Sequence, residues 1–183
     1  MAKEKYKYEK RIKEIKYSDK DKKKNHGLKT MPFIKNIIKP SSVIDVGCGW
    51  NSFCHLLNEK GIESVGVDFA CPGADIIADA EYLPFKDGQF DLLTTFDVLE
   101  HIPEEEINMV FQEFKRVANK FFYQICLGRG KRHITLKSPT WWLLKIIENQ
   151  GDIGQITYYD GANNIVPKNK ARWITVYGFF NKN

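Results

Sequence analysis

The chain has 183 residues, 43% of them hydrophobic and 28% charged, which suits one folded domain with a sizeable core. No apolar run approaches the roughly 20 residues of a membrane span, and the charged start Met-Ala-Lys-Glu-Lys-Tyr is unlike a secretory leader. The net charge of +5 hides an uneven spread: residues 1–40 hold 14 Lys and Arg against five acids, so the remainder is mildly acidic.

The basic arm, residues 1–25, has two readings. It is a solvated tail of the kind Lys-rich ends form, or a contact for nucleic-acid phosphate or a membrane surface. Its apolar residues Tyr6, Tyr8, Ile12, Ile15 and Tyr17 make only a patchy helical stripe. A single domain is expected over 26–183. Thr30 is placed to cap a helix over Pro32 to Ile38, because proline is favoured in a first turn, and Pro40 stops it.

The β-branched run 42–47 predicts a buried parallel strand with one acid, Asp45, inside it. It ends in Gly47-Cys48-Gly49, where the backbone can turn sharply and approach a ligand. A helix over 51–60 and a strand over 63–68 follow. Asp68 ends that strand, 21 residues past Gly47, where an acid can accept hydrogen bonds from both hydroxyls of a ribose. A short strand is expected at 75–79, then a turn-rich connection through Pro84 and Asp87-Gly88. Next come a strand over 91–96, a helix from Pro103 to about Asn119 and a strand over 121–127. A basic loop, 128–135, leads to a helix from Ser138 to about Asn149. Strands near 154–159 and 172–180 close the chain.

Strands and helices alternate until the last two strands meet without a helix. The pattern predicts an α/β fold: a three-layer, doubly wound, mainly parallel seven-stranded sheet with a C-terminal antiparallel hairpin. The four cysteines, Cys48, Cys54, Cys71 and Cys126, form no C-x-x-C pair and have no histidine cluster beside them. Neither a disulfide framework nor a metal site is expected, and a cytoplasmic setting fits.

Val-Ile-Asp-Val-Gly-Cys-Gly (43–49), Asp68, Asp79-Ala-Glu-Tyr-Leu-Pro-Phe (79–85), Gly88-Gln-Phe-Asp (88–91) and Asp97-Val-Leu-Glu-His-Ile (97–102) together resemble the ordered motifs of class I S-adenosylmethionine-dependent methyltransferases. The likeness is nearest to the group that includes ubiquinone-biosynthesis methyltransferases, and it spans about residues 30–127. It implies a Rossmann-like methyltransferase fold and S-adenosylmethionine as cofactor, with S-adenosylhomocysteine as product. By this resemblance the backbone of Gly47, Cys48 and Gly49 passes under the amino acid part of the cofactor, and Asp45 braces that loop. Asp68 holds the ribose, with Phe69 in the same set. Asp79 accepts from the adenine amino group while the Ala80 N–H donates to the ring. Phe96 and Asp97 line the methionine end, and Leu99 and His101 stand at the mouth where the methyl leaves.

One position departs from the pattern. Asn51 stands where the family often has a third glycine; asparagine tolerates unusual backbone angles better than most residues. Trp50 beside it is placed to shield a cofactor. Ser52 stands where a nicotinamide enzyme would carry the last glycine of G-x-G-x-x-G, which argues against a dehydrogenase.

Methyl transfer from a sulfonium is an in-line displacement that needs alignment more than a nucleophile. A base matters only if the acceptor must lose a proton. His101 and His133 are the catalytic candidates; each has the alternative of a structural or surface histidine. Arg129, Lys131 and Arg132 are placed to hold an anionic substrate or to stand in solvent. Trp141 and Trp142 are substrate candidates, one of them expected to pack on the sheet. Tyr158, Tyr159, Asp160 and Asn163 are placed to edge the pocket. Cys48 is read as a small turn residue rather than a nucleophile.

The leading expectation is methylation of a small-molecule acceptor. A second is RNA or DNA methylation through the basic arm, although no Asn-Pro-Pro-Tyr motif follows the fourth strand. A third is a non-catalytic cofactor-binding protein or one that degrades the cofactor. Oligomeric state and acceptor are not legible in the chain.

Overall fold

The computed structural model describes residues 27–130, 132–160, 162 and 164–181. The basic arm therefore lies outside the described residues, as do Lys131 and Asn163.

Seven strands form one sheet in the order β3-β2-β1-β4-β5-β7-β6. In chain order these are β1 (Ser42–Val46), β2 (Glu63–Asp68), β3 (Ile76–Ile77), β4 (Phe90–Phe96), β5 (Ala118–Cys126), β6 (Gly151–Tyr159) and β7 (Trp173–Phe180). The first five run parallel; β7 inserts between β5 and β6 and is antiparallel to both. The expected mainly parallel sheet with a terminal antiparallel hairpin is what forms. The helices are α1 (Met31–Phe33), α2 (Ser52–Glu59), α3 (Ile107–Val117) and α4 (Pro139–Asn149).

Alternation along each strand divides the core into two layers. Val43, Leu92, Phe96 and Phe122 pack with Phe53 and Leu57 of α2 and with Met31, Ile34 and Ile38. Ile44, Leu93, Phe121 and Tyr123 face the other way, onto Phe111 and Phe114 of α3 and Trp142 and Ile146 of α4. Helix α3 turns Ile107, Val110, Phe111, Phe114 and Val117 inward at helical spacing. Helix α4 starts at Pro139, and the Ser138 hydroxyl accepts from the Trp141 N–H at 3.2 Å.

Several boundaries differ from the sequence reading, each for a local reason. Thr30 gives no side-chain cap; its hydroxyl donates to the Gly27 carbonyl at 2.7 Å. Helix α1 is one turn, continued by a π-helical turn over Ile34–Ile38 that ends with Lys39 in the left-handed region. Strand β3 is only two residues long, because Asp75 turns back on β2. Its N–H donates to the Gly66 carbonyl, and its carboxylate accepts from the Gly66 N–H at 2.8 Å. Helix α3 begins at Ile107 rather than Pro103, since Pro103–Glu106 close tighter turns first. It stops at Val117 because Ala118 is already paired with Phe90 in the sheet. Strand β6 starts early, at Gly151, with a bulge between Ile153 and Gln155.

Two polar hubs fix the helices to the sheet. The Arg116 guanidinium, on α3, donates to the carbonyls of Leu83 and Phe85 at 2.9 and 2.6 Å and to Glu113 and Asp87. It straps down the connection between β3 and β4. Deeper, the Tyr123 hydroxyl donates to Gln150 Oε1 at 2.6 Å, and Gln150 Nε2 donates to the Phe111 carbonyl at 2.8 Å. Burial raises the Tyr123 phenol well above its ordinary value, so it stays a neutral donor. Replacing it by Phe leaves Gln150 Oε1 buried with no donor. Tyr123→Phe is expected to cost about 1–3 kcal/mol in urea unfolding with an unchanged m-value.

Candidate functional site

Most of the candidate residues gather at the C-terminal edge of the parallel strands, where such sheets place their ligands. The loop from β1 to α2 goes through the left-handed region at every second residue: φ is +78° at Gly47, +54° at Gly49 and +61° at Asn51. The third of these is the departure noted in the sequence, and asparagine holds the angle a glycine would. Its side chain then lies across Gly66, where a Cβ would come within 1.9 Å of Asn51 Oδ1. Gly66 and Asn51 therefore constrain one another. Trp50 packs against Gly73, where a Cβ would meet its ring at 2.7 Å.

Asp68 anchors the loop. Its Oδ2 accepts from the Gly49 N–H at 3.1 Å, and Oδ1 accepts from the N–H groups of Ala70 and Cys71, both at 2.9 Å. Three donors aim a carboxylate that is 4% exposed. One strand further out, Asp79 and Ala80 are half-buried, and Asp79 Oδ1 accepts from the Glu81 N–H at 3.2 Å. The Ala78 N–H donates to the Asp68 carbonyl at 3.1 Å, so the two acids stand on neighbouring strand ends. Phe69 follows Asp68 half-buried. Cys48 is a thiol in this acidic loop. Burial, then the charges of Asp45 and Asp68, push it up, which keeps it protonated and a poor nucleophile.

The surroundings of the other expected residues vary. Asp45 is 3% exposed, and its Oδ1 accepts from the Thr94 hydroxyl at 2.7 Å, across the sheet to β4. Phe96 sits inside the α2-side core, edge-on to Phe53 with ring centroids 4.9 Å apart. Leu99 is fully buried in the main core, which removes it from any open mouth. Trp142 is likewise fully enclosed and is a core residue, not a substrate contact. Trp141 is half-buried and edge-on to Trp142, with the ammonium groups of Lys137 and Lys145 at 5.1 and 5.9 Å from its ring centroid. Arg129 and Arg132 are exposed. Asp160 closes its own turn by accepting from the Ala162 and Asn164 N–H groups.

Asp97 is left-handed, with φ +57°. Its carboxylate accepts from Trp173 Nε1 at 3.0 Å and lies 3.4 Å from Gln124 Nε2. Neither partner was legible in the sequence: Trp173 comes from β7, 76 residues away.

The two histidine candidates meet. Their rings are edge-on with centroids 4.7 Å apart. His101 Nδ1 is 2.9 Å from the Arg132 carbonyl oxygen, and His133 Nδ1 is 2.8 Å from that of Gly128. A carbonyl can only accept, so each Nδ1 carries a proton, and in the neutral ring Nε2 is the nitrogen that holds the lone pair. Burial lowers the His101 pKa, which favours that neutral form. Glu100 beside them is fully buried, and burial, helped by the charge of Asp97, pushes its carboxyl up to about 8. The Glu100 side chain had drawn no attention in the sequence.

Residues 44–120 match a family described as a methyltransferase domain. Over 98 residues the chain is 31% identical to norajmaline N-methyltransferase of Rauvolfia serpentina, covering 44% of this chain and 33% of that protein. It is 33% identical over 98 residues to "Probable tocopherol O-methyltransferase, chloroplastic" of Oryza sativa subsp. japonica, covering 44% and 26%. The chain thus spans a third or less of the length of these curated relatives. Among solved structures it superposes on the Burkholderia thailandensis 1,6-didemethyltoxoflavin-N1-methyltransferase, crystallised with 1,6-didemethyltoxoflavin and S-adenosylhomocysteine. That superposition has a TM-score of 0.67 at 11% identity and covers 90% of this chain and 82% of that one.

The glycine loop offers a direct test of this geometry. A Cβ on Gly47 would meet Val98 Cγ2 at 2.3 Å, on a backbone already at positive φ. Gly47→Ala is expected to cost roughly 2–4 kcal/mol in urea unfolding. Adding Val98→Ala should recover the steric part and leave the backbone part.

Proposed function

We propose, for a chain whose residues 44–120 belong to the class I S-adenosylmethionine-dependent methyltransferases, that the reaction is methyl transfer to a small-molecule acceptor. The observation that carries the cofactor half is the Asp68 carboxylate, aimed by three backbone donors beside the left-handed loop at Gly47, Gly49 and Asn51. Support for the acceptor half comes from the relatives, whose names are those of enzymes acting on norajmaline, tocopherol and 1,6-didemethyltoxoflavin.

The chemistry of the donor set fits this cofactor. Asp45, Asp68, Asp79 and Asp97 border the edge, while residues 41–59 contain no Lys or Arg. Such a site suits a diol, an adenine amino group and a positive sulfonium. It is poorly matched to a pyrophosphate, which is consistent with the shortened glycine motif.

Asp68 would hold the ribose hydroxyls, and Asp79 with the Ala80 N–H would take the adenine edge. The backbone of Gly47, Cys48 and Gly49 would run beneath the amino acid portion. Bound S-adenosylmethionine supplies a methyl group already activated by its sulfonium. The protein's own part is then to align the acceptor and exclude water, which contributes on the order of 7–11 kcal/mol in well-oriented systems. His101 and His133, whose neutral rings would present a basic Nε2, are the groups able to receive an acceptor proton. Trp141, Arg129 and Arg132 are the candidate acceptor contacts. Among the described residues no helix is long and apolar enough to cross a membrane. All four cysteines are free thiols, which favours a reducing compartment such as the cytoplasm.

Three measurements test this reading. S-adenosylhomocysteine should raise the melting temperature by mass action and NAD should not. Asp68→Asn should weaken S-adenosylhomocysteine binding about ten- to a hundredfold, the scale of hydrogen bonds to a charged group. Cofactor labelled in its methyl group, incubated with the protein and cell extract, should label the small-molecule fraction. Label in RNA or DNA would shift the assignment to the basic arm. Cofactor binding without label in any fraction would favour a non-catalytic role.

A further inference from the structure

Glu100, His101 and His133 each offer a ligand atom, and these atoms lie within 4.8 Å of one another. We propose that these three side chains form a binding site for one divalent first-row transition ion such as Zn²⁺, Mn²⁺ or Co²⁺. The sequence pattern did not suggest it, because the two histidines are 32 residues apart and no cysteine joins them.

Four features make this a built site rather than a chance meeting. Glu100 is fully buried, and its Oε2 has no hydrogen-bond partner among the described residues, while Oε1 accepts from the Cys126 N–H at 3.3 Å. A buried carboxylate oxygen without a donor is costly unless a cation meets it. Both imidazoles commit Nδ1–H to backbone carbonyls, which is the outer contact that fixes a metal-binding tautomer and leaves Nε2 basic. The loop bearing His133 is tied to Glu100 itself: the Ile134 and Thr135 N–H groups both donate to the Glu100 carbonyl, at 3.0 and 3.1 Å. Finally, Gly130 makes room for the ring, since a Cβ there would meet His133 Nε2 at 2.4 Å.

The donor set selects the ion. Two imidazoles and one carboxylate suit zinc and its neighbours, whereas calcium and magnesium prefer oxygen-only shells. Ligand atoms around a tetrahedral ion with bonds near 2 Å are about 3.3 Å apart. Binding of the ion would therefore draw the three ligand atoms, now within 4.8 Å of one another, closer together. Three protein ligands leave at least one coordination position open to a water or to an oxygen of a small molecule. Resting on the methyl-transfer reading, that position would take the acceptor's hydroxyl, and both histidine Nε2 atoms would serve the ion instead of a proton.

The test uses the untagged full chain, stripped with chelator and titrated with Co²⁺ by calorimetry and visible absorption. One equivalent should bind, with ligand-field bands and no thiolate charge-transfer band. Glu100→Gln, His101→Ala and His133→Ala should each weaken binding at least tenfold, and His55→Ala, on the exposed side of α2, should not. Far-UV circular dichroism checks the fold of each variant. No stoichiometric Co²⁺ or Zn²⁺ uptake by the wild-type chain would overturn the site whatever the variants do. Thiolate bands, or equal uptake by folded variants, would also overturn it. The S-adenosylhomocysteine melting shift, measured on the metal-free chain, separates the two claims. A shift without metal uptake defeats the metal site alone; metal uptake without a shift defeats the cofactor reading alone.

Discussion

A buried carboxylate that must find hydrogen-bond donors organises this protein's functional edge. Asp68 is 4% exposed, and its two oxygens draw in the N–H groups of Gly49, Ala70 and Cys71. Leaving such a charge without partners would cost several kcal/mol. The loop after β1 and the loop after β2 are therefore bound into one surface. The left-handed angles at Gly47, Gly49 and Asn51 are what let the first loop reach back that far. Asn51 in turn requires a glycine at 66, because its side chain occupies the space a Cβ would take.

A second set of ties holds the other half of the edge. The carbonyl of Glu100 receives two N–H groups from the loop after β5, and the Thr135 hydroxyl donates to the Ile102 carbonyl at 2.6 Å. Asp97 is clamped from the far end of the chain by Trp173 on β7. The insertion of β7 between β5 and β6 therefore does more than complete the sheet. It brings a residue from the last strand to the segment following β4, where Asp97, Glu100 and His101 stand. The two halves differ in chemistry: carboxylates on the β2 side, paired imidazoles on the β5 side. That division matches a site in which one half holds a cofactor and the other meets an acceptor.

What the sequence determined by itself was local and periodic. Alternating apolar residues placed the strands and helices to within a few positions. The run Val43 to Gly49, the acid at 68 and the segment 97–102 marked the candidate edge, because turn geometry and strand ends are written in neighbouring residues. Even the tolerance of Asn51 for a glycine angle followed from its side chain. Tertiary structure decided what depends on distant parts of the chain meeting. Leu99 read as a mouth residue from its motif position, and which of Trp141 and Trp142 would pack on the sheet stayed open; Leu99 and Trp142 are both core, since burial is set by what packs around a residue. The Arg116 strap, the Tyr123–Gln150 link, the Asp97–Trp173 clamp and the gathering of Glu100, His101 and His133 all join residues about 30 or more positions apart, with only short local links inside them. Chain spacing carries no signal for such pairs; only the sheet order brings them within hydrogen-bonding or coordinating reach.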